Sequence, residues 1–457
     1  MNACVLEAFP VDQRLSKDFF VGPGDGPGQT QTIQRALDAC SAQGGGRVVL
    51  LAGQHGSGTI HLRSHVTLHL EKDAILLGSP DVAAYGTKAG NPGARIMMGI
   101  GTGLVFAEGA EDIAITGEGT IDGNGRSFWK KAENIPEWVE EKRTLGTWIP
   151  GFDCGSRERP RALIMLLDCR NVRLENVRVQ NSPSWTIHLL ACTDVTIRGI
   201  TLRGAVNGSN TDGIDLDACS HVLVEDCDIA TGDDAIALKN TNGWGLKRPS
   251  RHITVRRCRL CSTTHGFTIG TETQDDFEDI VLEDSQIGKS EEYRTLTGIG
   301  LSIVDGAAMR HVRISNVTIS DAISPIQIRL ANAGRGQVVP KPGIMEDLTL
   351  ERISILRAHG NNMILGLPKH PLRRVALRDV KLEFTGLVDP QLLMAEVPHL
   401  DKEFPNTHAW RYLPAYGFFC RDIEGLELSN VTLSAPVEEK RPDLLLENVT
   451  MVKSRES

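Results

Sequence analysis

The sequence predicts an all-β chain, a single-domain right-handed parallel β-helix with an N-terminal helical cap. Three observations lead there. A short phrase returns along the chain: "NVRLENVRV" from Asn171, "DVTIRGITL" from Asp194, "HVLVEDCDI" from His221, "HITVRRCRL" from His252, and further copies as far as "RVALRDVKL" from Arg374. Every copy alternates apolar with polar residues, the period of a β-strand, and no sustained helical period lies between copies. The copies recur at roughly 20 to 40 residues, the length of one coil holding two or three short strands. A leucine-rich repeat would need a Leu-x-x-Leu framework, and a propeller blade would need about four strands per repeat.

Taken in chain order, the first residues "MNACVLEAFPVDQRLSKDFF" lack the basic start and apolar run of a secretory signal. This sets a cytoplasmic expectation, replaced by a periplasmic or secreted one if an export segment was removed. Residues 29–43, within "TQTIQRALDACSAQ", read as an amphipathic helix followed by a glycine turn and a strand. We expect it to cover the open end of the first coil. Residues 123–161 and 388–414 break the repeat, the first with Trp129, Trp138 and Trp148, and are expected as insertions over a groove. The catalytic β-helix is thus expected over 1–435, with 436–457 as a last partial coil and a loose tail.

Bulk composition narrows the partners. A net charge of -9 and a pI near 5.8 argue against a general nucleic-acid binder. No stretch is long and apolar enough to span a membrane. The ten cysteines form no CxxC pair and no zinc-spaced cluster. Cys169, Cys192 and Cys219 each precede a coil start by two residues, and Cys227 aligns with Cys258, so the expectation is ladders of buried thiols in the core.

Stacking turns alignment into geometry. The coils "HVLVEDCDIATGDDAIALK" and "HITVRRCRLCSTTHGFTIG" align without a gap, and the preceding coil aligns after a five-residue insertion. Asp212, Asp234 and His265 then form one column on successive coils, with Asp233 beside its middle member. Structural stacks in such folds are Asn, Ser or apolar ladders, so a mixed Asp/Asp/His column points to chemistry. His221, His252 and His311 share the coil-start position with Asn and Asp and are expected in hydrogen-bonded turns. Crowded carboxylates repel, which holds a proton on one of them, and glycoside hydrolysis needs one protonated and one ionised carboxyl group.

"NTDGID" (Asn210–Asp215), "GDDAIALK" (Gly232–Lys239) and "HGFTIG" (His265–Gly270), in this order, resemble glycoside hydrolase family 28, the polygalacturonases and their relatives. "GTIDGNG" and "LPAYGFFCRD" are similar to elements of its bacterial members. The resemblance implies inverting hydrolysis by single displacement, with Asp233 as general acid and Asp212 with Asp234 positioning and deprotonating water. It implies that His265 supports the acid's protonation state. It implies no metal or other cofactor, and a pectic oligosaccharide, galacturonate- or rhamnogalacturonan-derived, as the binding partner. The sequence does not specify the oligomeric state.

One departure bears on specificity. Polygalacturonases carry an Arg-x-Lys on the coil after the His motif, and here Gly300 and Ser302 stand at those positions. Lys239 falls in the column of the absent lysine two coils earlier, and Arg329 reaches it one coil later. We expect the two to hold an acidic sugar from either side of the gap, or else to be solvated surface charges. Asn210, Glu272 and Trp185 complete the expected substrate contacts, Trp185 by stacking or by buried packing. The insertions favour exo action by walling off one end of the groove. Two rival readings share the fold: a polysaccharide lyase using the acids to bind Ca²⁺, and a non-catalytic carbohydrate-binding β-helix.

Overall fold

The computed structural model describes residues 18–88, 100–129, 158–206, 208–289, 294–386, 391, 393–394, 396–402, 410 and 412–452. It is a right-handed parallel β-helix in which the chain winds through three long parallel sheets. The three strands of a coil are clearest at Thr193–Arg198, Thr201–Arg203 and Ile214–Asp217, each pairing in register with its counterpart in the next coil. Later coils fuse the first two strands, as in Phe277–Gly288.

Two features of the repeat set this path. Inward positions carry aliphatic and aromatic residues that stack coil upon coil: Ile187, Ile214, Ile236, Phe267, Ile299 and Ile326 form one such column and all are fully buried. Each Ile or Leu so enclosed contributes roughly 1.5–3 kcal/mol over an exposed one. The coil-start residues adopt a left-handed backbone, with φ of 52° at Asn171, 56° at Asp194, 54° at His221 and His252, and 53° at His311. Asn, Asp and His enter that region more readily than most residues, which explains the composition of the column. Outside, these residues bond along the stack, as His252 Nδ1 does with Asp279 at 3.2 Å.

The capping helix spans Gly26–Ala42 and buries Ile33, Leu37 and Cys40 over the first coil. It begins three residues before the sequence-based start at 29. Asp25 caps it by accepting a hydrogen bond from the Gly26 backbone N–H at 2.8 Å, and proline stands in its first turn, where no donor is needed. Cys169, Cys192, Cys219, Cys227 and Cys258 are free, buried thiols, several donating to carbonyl oxygens of neighbouring strands. Strand Leu444–Met451 pairs in parallel with Phe418–Ser434 and continues the stack. Most of the 123–161 insertion, including Trp138 and Trp148, lies outside the described residues, as do parts of 388–414.

Candidate active site

The third sheet carries the candidate site at the entry of its strands. Trp185, Asp212, Asp234, His265, Thr297 and Ser324 occupy equivalent places in successive coils. The residue after each acid or His is small for a steric reason. A Cβ on Gly213 would stand 2.4 Å from the Ala235 carbonyl oxygen, and one on Gly266 would stand 2.3 Å from Ile287 Cγ2. The backbone is packed tightly against the core there, and the preceding side chain is turned outward. Asp212, Asp233 and Asp234 come together so that one oxygen of each lies within 4.8 Å of the others.

The three acids are held in different states. Burial raises the Asp233 carboxyl well above the usual range, and repulsion from Asp212 and Asp234 raises it further. Burial works in the same direction on Asp234, but His265, Lys239 and the Thr264 hydroxyl overcome it and hold that carboxyl at about 2. His265 Nδ1 lies 2.7 Å from Asp234 Oδ1. Asp212 is raised by burial and by Asp234, with Lys239 opposing. Thr264 Oγ1 stands 2.9 Å from Asp233 Oδ1 and 2.8 Å from Asp234 Oδ1. A hydroxyl has a single hydrogen, so it satisfies both carboxyl groups at once only when one of them carries a proton. A neutral Asp233 beside an ionised Asp234 meets that condition, and it is the pairing that acid-assisted bond cleavage requires.

The expected substrate contacts divide. Ser302 pairs with Arg329 as the sequence alignment has it, but the register shifts between Leu238 and Asn240, and Asn240 pairs with Thr273, so the aligned pair Lys239 and Gly270 falls at an irregularity. The Lys239 ammonium faces the acids: Nζ lies 2.8 Å from Asp212 Oδ2, 2.7 Å from Asp215 Oδ1 and 4.1 Å from the centre of the Trp185 ring. It is 4% exposed. This corrects the expectation of a cation presented to a sugar carboxylate, because its three N–H directions are already directed to protein groups. Arg329 is likewise buried, donating to the Leu400 carbonyl and lying over the Trp410 ring at 4.5 Å. Trp185 is buried, which places it in the packing alternative of the two considered. Glu272 faces Arg335, whose guanidinium is anchored by Asp305 at 2.8 Å. Asn210 Oδ1 accepts from Arg159 at 3.1 Å.

Sequence reasoning missed four neighbours. Arg159 is buried beside the site, donates to Ser209 O at 2.6 Å, and is lowered to about 10 by burial against the pull of Asp212 and Asp233. It stands at the end of an insertion and has no local signature. Asp215 and Thr264 lie inside or next to the quoted motifs, where only their strand register would have exposed their roles. Arg335 belongs to a turn outside any motif. At the absent clamp, a Cβ on Gly300 would stand 2.9 Å from His265 Cδ2 and 3.0 Å from Thr268 Oγ1. The His265 ring thus packs against the space that a side chain at 300 would enter.

Comparison with known proteins follows the same lines. The family described as Glycosyl hydrolases family 28 matches residues 100–398. A probable polygalacturonase of Vitis vinifera is 32% identical over 61% of this chain, which spans 56% of that protein. An endo-polygalacturonase of Pectobacterium parmentieri is 27% identical over 77% of this chain and 84% of its own length. With plant and bacterial relatives both present, the expected bacterial subgroup is not distinguished from the family at large. The solved structure of an exopolygalacturonase from Thermotoga maritima superposes with a TM-score of 0.64 at 22% identity, covering 90% of this chain and 88% of its own, and shows the shared fold.

Proposed function

The chain belongs to glycosyl hydrolase family 28, and on that premise we propose that it hydrolyses pectic oligosaccharides. Asp233 is the general acid, and Asp212 with Asp234 receives the proton of the attacking water. The observation that carries this reading is the divergence of neighbouring carboxyls, with Asp233 raised well above the ordinary range while Asp234 is held at about 2. His265 keeps Asp234 ionised, and the charge on Asp234 keeps the proton on Asp233.

We assign single displacement with inversion from the family likeness. The carboxyl spacing gives no independent support. Inverting pairs usually stand about 6.5–9.5 Å apart, whereas here one oxygen of each acid lies within 4.8 Å of the others. In this reading Asp212 and Asp234 hold the water together, on the face of the sugar ring opposite the leaving oxygen that Asp233 protonates, as inversion requires.

Exo action is the finer reading. Val397, Leu400, Trp410 and Leu413 cluster with Met363 and Leu365, and Leu400 and Trp410 meet Arg329, covering the outward face of the third sheet downstream of His265. Arg329 stands two coils past His265, so the groove has about 10 Å on that side before it is covered. A panel of oligogalacturonides and rhamnogalacturonan fragments tests the function. Release of plain reducing ends supports hydrolysis. An unsaturated, ultraviolet-absorbing product would make the protein a lyase, and binding with no product would make it a non-catalytic β-helix.

A further inference from the structure

Lys239 does something other than bind substrate. Its Nζ is shared between Asp212 Oδ2 at 2.8 Å and Asp215 Oδ1 at 2.7 Å, and its remaining face lies 4.1 Å from the centre of the Trp185 ring. All four residues are buried. Strand register brings them together: Asp215 and Asp212 belong to the coil before Lys239, and Trp185 to the coil before that. At the far end of the same carboxyl group, Asp212 Oδ1 is buried and has no hydrogen-bond partner among the described residues. One oxygen of Asp212 is therefore tethered, and the other is left for a group that none of the described residues supplies.

We propose that Lys239 is a positioning residue for the reaction, fixing Asp212 through Oδ2 and keeping it ionised so that Oδ1 can take the proton of the attacking water. The proposal rests on the functional reading above. It concerns how a buried carboxylate remains usable as a base. Removed from water, a carboxyl group favours its neutral form, and an opposite charge in contact reverses that preference. The groups bearing on Asp212 are Lys239 and Arg159 in favour of its charge and Asp215, Asp233 and Asp234 against it, while Glu272 bears on Lys239. His265 adjoins Asp234, and His188 stands one coil before Asp215 in the same column. Of the two cations, Lys239 alone touches the Asp212 carboxylate, because Arg159 donates to Asn210 and to the carbonyls of Pro183 and Ser209.

The test is the pH profile of kcat/KM together with an NMR titration of the Asp212 carboxyl carbon, in wild type, Lys239→Met and Lys239→Arg. In Lys239→Met the Asp212 midpoint rises by about one pH unit or more, and the acidic limb of the profile moves up with it. kcat falls on the order of 100-fold, and KM stays within about threefold, as for an interaction not made with substrate. Lys239→Arg keeps the charge and brings the midpoint back toward wild type. An unmoved midpoint in Lys239→Met, or a raised KM with an unmoved acidic limb, overturns the proposal. Should Lys239→Met not fold, the isosteric Asp212→Asn reads the coupling from the other side, and the Lys239 ammonium must then titrate at lower pH than in wild type. Unchanged lysine titration there also overturns the proposal. A wild type inactive on every pectic sugar sinks the functional reading instead, and the two midpoints still decide whether Lys239 controls Asp212.

Discussion

His265 and Asp234 face each other across neighbouring coils with 2.7 Å between Nδ1 and Oδ1, and this contact separates the states of two acids adjacent in the chain. Asp233 and Asp234 share burial and mutual repulsion. Asp234 also has an imidazole and a share of the Thr264 hydroxyl directed at the same oxygen.

Replacing His265 with Ala removes the largest influence that keeps Asp234 ionised. We expect kcat to fall on the order of 100-fold. A second readout is acid stability. Because the folded-state value of Asp234 is held at about 2, its contribution is present above the unfolded carboxylate value of about 3.9 and is lost as pH falls toward 2. Thermal melts over that window should therefore show a shallower decline in His265→Ala than in wild type.

Asp233 has the opposite sign. Its carboxyl is raised well above the ordinary range, so the folded state binds a proton that the unfolded state releases above about pH 3.9, and stability falls as pH rises through that interval. Asp233→Asn should melt at a higher temperature than wild type at neutral pH. Its turnover should drop by about 100- to 10,000-fold, the range for loss of a general acid. An unchanged rate would remove Asp233 from the mechanism.

Gly300 is predicted to be required for the placement of His265. A methyl group there would come to 2.9 Å from Cδ2 of the ring, and displacement of a catalytic group by about 1 Å costs on the order of 100-fold. Gly300→Ala should lower kcat at least tenfold with the melting temperature little changed. Rebuilding the absent clamp as Gly300→Arg with Ser302→Lys should lose activity on every sugar rather than gain it on uronates. Kinetics on neutral and acidic oligosaccharides would check both.

Much of this was legible in the residues. The alternating phrase and its spacing point to stacked coils, and gapless alignment of two coils sets Asp234 on His265, a register that the Ile236–Phe267 pairing reproduces. Coil-start Asn, Asp and His foretell turns, whereas Asn171, Asp194, His221, His252 and His311 are single left-handed residues inside strands. Legibility stopped at the surface of the sheet. Register says that Lys239, Arg329 and Trp185 point outward from the coil, but not what covers them. Lys239 is met by Asp215 and Asp212, and Arg329 by Leu400 and Trp410 from a segment distant in sequence. Arg159 escaped for the same reason, since it reaches the acids from the end of an insertion that has no repeat to align.

The most direct test of the central claim, that the Asp212, Asp234 and His265 column with Asp233 beside it hydrolyses a glycosidic bond, is proton NMR of the first sugar released from a pectic oligosaccharide. The account predicts a saturated product whose new reducing end has the anomeric configuration opposite to that of the cleaved bond, formed by wild type and not by Asp233→Asn. A product of retained configuration would replace water activation with carboxylate attack, and an unsaturated one, or equal turnover by Asp233→Asn, would contradict the assignment of the site.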